Sequence, residues 1–350
     1  MSNEATRARS EGNSAPASAG LVLDPKPARH AIPLGSRRWR AGWATAPGTC
    51  GELVQGVLAS GEHFHVTCPI SSGTTVTLWA RPSATLSIAG LIGNQAKLGR
   101  ALASAARLLE TGPVAIVVSS RSQLQVAKGM GSSTADIVAG ARAMASAYGA
   151  TLIPSQLAGI ATEIEVSDGT MYPGIVAFCR RTGEVLREFS WYPRFAVVMV
   201  IPRDTVVTDT VDFAGKRRFA SEFEQLLACL DEAAAGRDPL AFARAATRSA
   251  AINQEYLPNP LFGLLHGEMA RLGAAGVVVG HTGTLAGLLY PFPSEEPRSQ
   301  EEALTKARRA ARALRAAVPR DAQIAITLTA AGRLHLGAGG RRLEVVSDNA

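Results

Sequence analysis

Residues 128–136 read KGMGSSTAD, from Lys128 to Asp136. Gly129 and Gly131 let the backbone turn sharply and approach a ligand without interference from a Cβ. Ser132, Ser133 and Thr134 follow. The apolar residues after them, Ile137, Ala141, Met144, Ala145 and Tyr148, recur at helical spacing, which predicts a helix from about Ser133 to Tyr148, ended at Gly149. A glycine turn that opens a helix aims unpaired N–H groups and the positive end of the helix dipole at whatever lies before it, so the turn suits a phosphate. An ordinary capped helix after a glycine turn uses the same residue types. The loop is not a Walker A loop, because its lysine precedes its glycines. On the phosphate reading the backbone of Gly129, Met130, Gly131, Ser132, Ser133 and Thr134 cradles the anion. Lys128 then neutralises charge, and Ser132 or Ser133 can offer a hydroxyl to Mg2+.

Outward from this loop, alternating residues predict strands at Phe64–Pro69 and Thr74–Ala80, and a short buried strand at Val114–Ser119. Helical spacing marks Leu98–Leu109 and Pro154–Glu165. After a boundary near Arg187–Arg194 come a strand at Ala196–Ile201 and helices at Ala220–Ala235, Pro239–Asn253 and Pro260–Leu272. Strands at Val277–Val279 and Leu285–Tyr290, a basic helix at Gln300–Val318 and a hairpin of Gln323–Leu328 with Leu334–Val346 complete the pattern. Helices and strands mix without a strict βαβ repeat, so the expected class is α+β. The expected organisation is a disordered basic tail at 1–40, an ATP-binding domain at 41–190 and a second domain at 191–350.

The composition excludes several function classes. With 350 residues, 47% hydrophobic and 19% charged, the chain is long enough for two packed domains and is not disordered overall. The net charge of +7 raises nucleic acid as a partner, but residues 1–40 alone hold seven Lys/Arg against three acids, and neither that run nor Lys306–Arg320 interleaves aromatics with basic residues in the way single-strand binders do. No nucleic acid and no membrane partner is expected. Cys50, Cys68, Cys179 and Cys229 are too scattered for a zinc site or a disulfide framework. No segment holds the roughly 20 apolar residues of a membrane helix, and no signal peptide is recognisable, so a cytoplasmic enzyme is expected.

Three further stretches carry candidate chemistry. PGTCGELVQG, Pro47–Gly56, reads as a tight glycine turn around Glu52, which suits an amine or hydroxyl of a substrate. EIEVSDGTMYPG, Glu163–Gly174, places Glu163, Glu165 and Asp168 at a helix-to-loop junction, where one carboxylate can hold a metal while another faces a substrate hydroxyl. GHTGT, Gly280–Thr284, is a second glycine turn in which His281 can contact a ligand or hold the backbone.

In this order, the Pro-Gly turn, the Gly-Ser-Ser loop before a helix and the late glycine turn resemble the GHMP kinase superfamily. PGTCGELVQG, GMGSSTAD and SDGTMYPG look like its L-threonine kinase branch, tied to cobalamin synthesis and propanediol utilisation. The resemblance covers roughly residues 41–293; GHTGT departs from the glycine-richer third motif of many members. It implies a ribosomal protein S5 domain 2-like N-terminal half and a ferredoxin-like C-terminal half. The implied reaction is ATP-dependent phosphorylation of L-threonine with Mg2+. Glycine-loop amides would hold ATP, and Ser133, or Ser132, with Glu163 or Glu165 would hold Mg2+. Asp168 would orient or deprotonate the hydroxyl, with Lys128 assisting catalysis. Glu52, Asp168, His281 and Thr282 would contact the substrate, Glu52 meeting its ammonium and Arg203 or Lys216 its carboxylate. The sequence carries no signal of oligomeric state.

Overall fold

Thr45–Gly56 is not a turn. In the computed structural model it lies inside β1 (Arg40–Val57), a long strand paired antiparallel with β2 (His63–Pro82). The turn-forming residues Pro47, Gly48 and Gly51 are absorbed as irregularities: the register shifts between Pro47 and Thr49, between Thr49 and Glu52, and again before Val54. Such bulges bend a strand and re-aim its side chains without ending it. Gly51 sits at φ +64, and a Cβ there would run into the carbonyl of Val279. The glycines therefore mark a close strand crossing and not a loop.

The structure describes residues 38–93, 95–204, 214–280, 283–292, 294, 296–330 and the backbone of 344–345. By internal contacts the chain divides into Met1–Pro33 and Leu34–Ala350, and the described residues belong to the second unit. The proposed tail at 1–40 therefore lies almost wholly outside them, and Arg40 already starts β1.

After β2 come β3 (Ser87–Ala89), α1 (Ala96–Leu108), β4 (Val114–Ser122), α2 (Ser132–Ala147), α3 (Pro154–Ile164) and a hairpin of β5 (Val176–Cys179) and β6 (Val185–Glu188). The chain continues through β7 (Phe195–Ile201), a 3-10 turn (Ala214–Phe219), α4 (Ala220–Gly236), α5 (Pro239–Asn253) and α6 (Phe262–Glu268). It ends with β8 (Gly276–Val279), β9 (Ala286–Pro291), α7 (Pro297–Leu314), β10 (Gln323–Leu328) and β11 (Glu344–Val345). The strands form one sheet in the order β11-β10-β7-β9-β8-β1-β2-β4-β3, with β5 and β6 branching from β2. All ladders are antiparallel except β3 with β4. The class is α+β.

Over β1, β2 and β4 helices cover one face of the sheet, whereas β7 to β10 are packed on both faces. Leu98 and Leu102 of α1 meet α2, whose Ile137, Val138, Ala141 and Met144 are fully buried over β1 and β2. Each such Leu or Ile side chain contributes about 1.5–3 kcal/mol on burial. The opposite face of β1, β2 and β4 shows Trp43, Trp79 and Val117 to solvent, which explains the strand alternation there. A second cluster packs α6 and α7 against β7 to β10 through Leu265, Ala307, Leu314, Val198 and Leu288. The β5–β6 hairpin is absent from the sequence reading, because VAFC is too short to display a period. The stretch expected as a strand at Leu334–Val346 lies mostly outside the described residues.

Candidate active site

The glycine loop opens α2 as its residue types require. Gly131 is the residue before the helix, in the left-handed region at φ 60 and ψ 28. No side chain caps the helix, and its first turn holds no acid. The first amides of α2 and the positive dipole end are thus left for an anion.

Three distant segments hold this loop. Thr49 of β1 donates its N–H to the Met130 carbonyl at 2.9 Å and its hydroxyl to the Gly129 carbonyl at 3.1 Å. Leu285, after the second glycine turn, donates its N–H to the Lys128 carbonyl at 3.2 Å. The third is the segment after α3. The amide of Asp168 lies 3.4 Å from the Thr134 hydroxyl, and a Cβ built on Gly131 would sit 2.8 Å from Oδ2 of Asp168. The loop therefore passes close beside the Asp168 carboxylate, and a side chain at Gly131 would displace it.

Asp168 belongs to a buried polar cluster. His65 of β2 places Nδ1 3.5 Å from Oδ1 of Asp168 and 4.0 Å from Oε1 of Glu52. Glu52 is 4% exposed and His65 1%. Burial pushes the Asp168 carboxyl up, and the charge of Arg180 opposes the shift. Burial, followed by the charges of Arg180 and Lys216, holds the His65 ring well below the ordinary histidine range. The ring is therefore neutral near pH 7, and its approach to the two acids is that of a dipole and not an ion pair. Lys216 is fully buried. Its ammonium donates to Oδ1 of Asn253 at 2.8 Å and lies over the Tyr256 ring. Burial draws it down to about 7, against the pull of Glu52.

The other sequence candidates separate. Ser133 and Glu165 meet: the Ser133 hydroxyl donates to Oε1 of Glu165 at 2.7 Å, and the Thr134 hydroxyl reaches the same oxygen at 3.1 Å. Lys97 pairs with the other oxygen, Oε2. Glu163 is turned away, on the last turn of α3, where it pairs with Arg107 at 2.9 Å and accepts from Ser104. The helix ends at Ile164 and the backbone of Glu165 is extended, so the two glutamates point to different neighbours. Lys128 does not face the loop it precedes. Its ammonium donates to the carbonyls of Arg203 at 2.5 Å and Asp204 at 2.7 Å. Glu52 stands on a strand and not in a turn, opposite Thr67 of β2 and Val279 of β8. Arg203 is exposed. His281 and Thr282 lie outside the described residues.

His65 and Arg180 escape sequence reasoning. His65 sits in a long strand with nothing local to mark it. Arg180 had a faint signal: the pair Arg180-Arg181 directly follows the apolar strand VAFC, a poor place for two cations unless one turns inward.

An uncapped helix N-terminus behind a glycine loop, seated against a mostly buried acid, suits phosphoryl transfer to a small molecule. Residues 96–179 match the family model for the GHMP kinases N terminal domain. The chain is 30% identical over 256 residues to the L-threonine kinase of Salmonella typhimurium, covering 70% of this chain and 82% of that one. It is 28% identical over 258 residues to the L-threonine kinase of Citrobacter freundii, covering 70% and 85%. The homoserine kinase of Cytophaga hutchinsonii has the same fold, with a TM-score of 0.55 at 16% identity over 90% of this chain and 100% of that one. The chain belongs to the GHMP kinase superfamily, in its L-threonine kinase branch. Among the described residues no helix is long and apolar enough to cross a membrane.

Proposed function

We propose that this chain transfers the γ-phosphoryl group of ATP to the side-chain hydroxyl of L-threonine, giving ADP and O-phospho-L-threonine. The observation that carries this reading is the close approach of the phosphate loop at Gly131 to the Asp168 carboxylate, beside buried Glu52. Phosphoryl transfer needs mainly positioning and charge neutralisation, and a loop touching an acid brings donor and acceptor together. The amides of Gly129 to Ser133 hold the phosphates. Asp168 orients the threonine hydroxyl and takes its proton. Burial raises its pKa, the direction that makes a carboxylate a stronger base. Glu52 receives the substrate ammonium.

Ser133 and Glu165 suit Mg2+: a hydroxyl and a carboxylate, both hard oxygen donors, stand 2.7 Å apart at the N-terminus of α2. Bound there, Mg2+ would neutralise charge on the β- and γ-phosphate oxygens. Glu163, held by Arg107, takes no part. The enzyme works in the cytoplasm, and its product supplies the aminopropanol linker of cobalamin.

A panel of L-threonine, L-serine and L-homoserine with Mg2+ and ATP tests the reading, with the phosphorylated amino acid measured by mass spectrometry. The highest kcat/KM is expected for L-threonine. A higher value for either competitor would reassign the substrate, and no phosphorylated product at all would leave a nucleotide-binding protein without turnover.

A further inference from the structure

Glu52 and Asp168 give the cluster two negative charges, and one more group in it has no assigned task. Arg180 directly follows β5, which pairs with β2 at Phe178↔His65 and Cys179↔Phe64. Its carbonyl accepts the N–H of Ser167 at 3.2 Å. The backbone of Arg180 is therefore fixed from two sides, by the strand that carries His65 and by the segment that carries Asp168. Burial lowers the pKa of its guanidinium, and the negative charges of Asp168 and Glu52 pull it back up. Its Nε is buried and makes no hydrogen bond. A buried N–H donor without an acceptor is a standing penalty, which a ligand oxygen would remove. The other cations near the loop are engaged or exposed: Lys128 holds the carbonyls of Arg203 and Asp204, Lys216 donates to Asn253, and Arg203 faces solvent.

We infer that Arg180 receives the α-carboxylate of the substrate, through the edge of the guanidinium that carries Nε. With Glu52 on the ammonium and Asp168 on the hydroxyl, the site then distinguishes an amino acid from the amino alcohol that lacks only the carboxylate. A guanidinium edge matches a carboxylate with two parallel N–H···O bonds, which a lysine cannot reproduce. This inference rests on the amino-acid reading of the site above.

The test compares L-threonine with (R)-1-aminopropan-2-ol, which keeps the amine and the hydroxyl, in wild type, Arg180→Met and Arg180→Lys. Wild type is expected to favour threonine by at least about 100-fold in kcat/KM, because the amino alcohol leaves a buried donor unmet. Arg180→Met should lower kcat/KM for threonine by about 10- to 150-fold, mostly through KM. Its loss on the amino alcohol should be at least about tenfold smaller, so the preference collapses. Arg180→Lys should fall between, keeping charge without the fork. Equal losses on both substrates, with unchanged thermal unfolding, would make Arg180 a support for Asp168 and overturn the carboxylate role alone. Wild type that ignores threonine would overturn the amino-acid reading and this inference with it.

Discussion

Replacing Gly131 by alanine tests the contact on which the site is built. The residue lies at φ 60 and ψ 28, inside the left-handed region, where a Cβ costs about 1 kcal/mol. The new methyl would stand 2.8 Å from Oδ2 of Asp168 and 2.9 Å from Cγ2 of Thr49, closer than the roughly 3.5 Å of an unstrained contact. Relieving two such contacts in a packed site costs about 1–3 kcal/mol. The total, about 2–4 kcal/mol, should lower Tm by about 3–6 °C for a chain of this size. Because the methyl pushes the carboxylate proposed to orient the hydroxyl, kcat should fall about 10- to 100-fold. Thermal unfolding and ADP release measure both. The double variant with Asp168→Ala isolates the cause. With the carboxylate gone, Gly131→Ala should retain only its backbone cost and its contact with Thr49, a coupling of about 0.5–3 kcal/mol. Strict additivity of the two stabilities, or a Gly131→Ala enzyme within about twofold of wild-type turnover, would refute the reasoning.

Asp168→Asn should reduce kcat by about 10²–10⁴-fold. In wild type kcat/KM should rise with pH through a midpoint above 3.8, since burial raises the carboxyl that must be ionised. A profile flat down to the ordinary aspartate range would exclude it as the base. Glu165→Gln and Ser133→Ala should each raise the Mg2+ concentration needed for half-maximal rate, whereas Glu163→Gln, which loses only a half-exposed pairing with Arg107, should not; equal effects from the two glutamates would contradict the assignment. Lys216 has its pKa lowered from 10.5 to about 7 on folding. The unfolded chain thus binds more protons between those values, and wild type should gain stability as pH rises across that window. Lys216→Met should lack that gain in urea titrations, and parallel pH dependences would show that the ammonium is not desolvated.

Helices were legible because their apolar residues repeat over several turns. Ile137 to Tyr148 mark α2 to within a residue of its observed start and end. Strand β1 was illegible for the opposite reason. Pro47, Gly48 and Gly51 are turn formers in isolation, and only the approach of Val279 explains why a strand needs a glycine there. The chemistry divided along the same line. Ser133, Glu165 and Asp168 sit in local motifs and could be named in advance. His65 and Arg180 join them through pairing of β2 with β5, a contact between distant segments that no local pattern records. Glu163 and Glu165 were indistinguishable in sequence, because which of them meets Ser133 depends on where α3 stops. Lys128 looked like a phosphate ligand by adjacency, yet adjacency says nothing of side-chain direction when two carbonyls compete for the ammonium.

The crossing of β1 with β8, where Glu52 meets Val279, also bears on how the protein is made. Chains are synthesised from the N-terminus, and their early parts tend to fold first. The glycine loop, Asp168 and Glu52 are all translated well before β8, which buttresses β1 behind Glu52, and before Leu285, whose amide holds the carbonyl of Lys128. A nascent chain can therefore display every side chain of the candidate site and still lack the frame that sets their spacing, which closes only once β8 and Leu285 have been made.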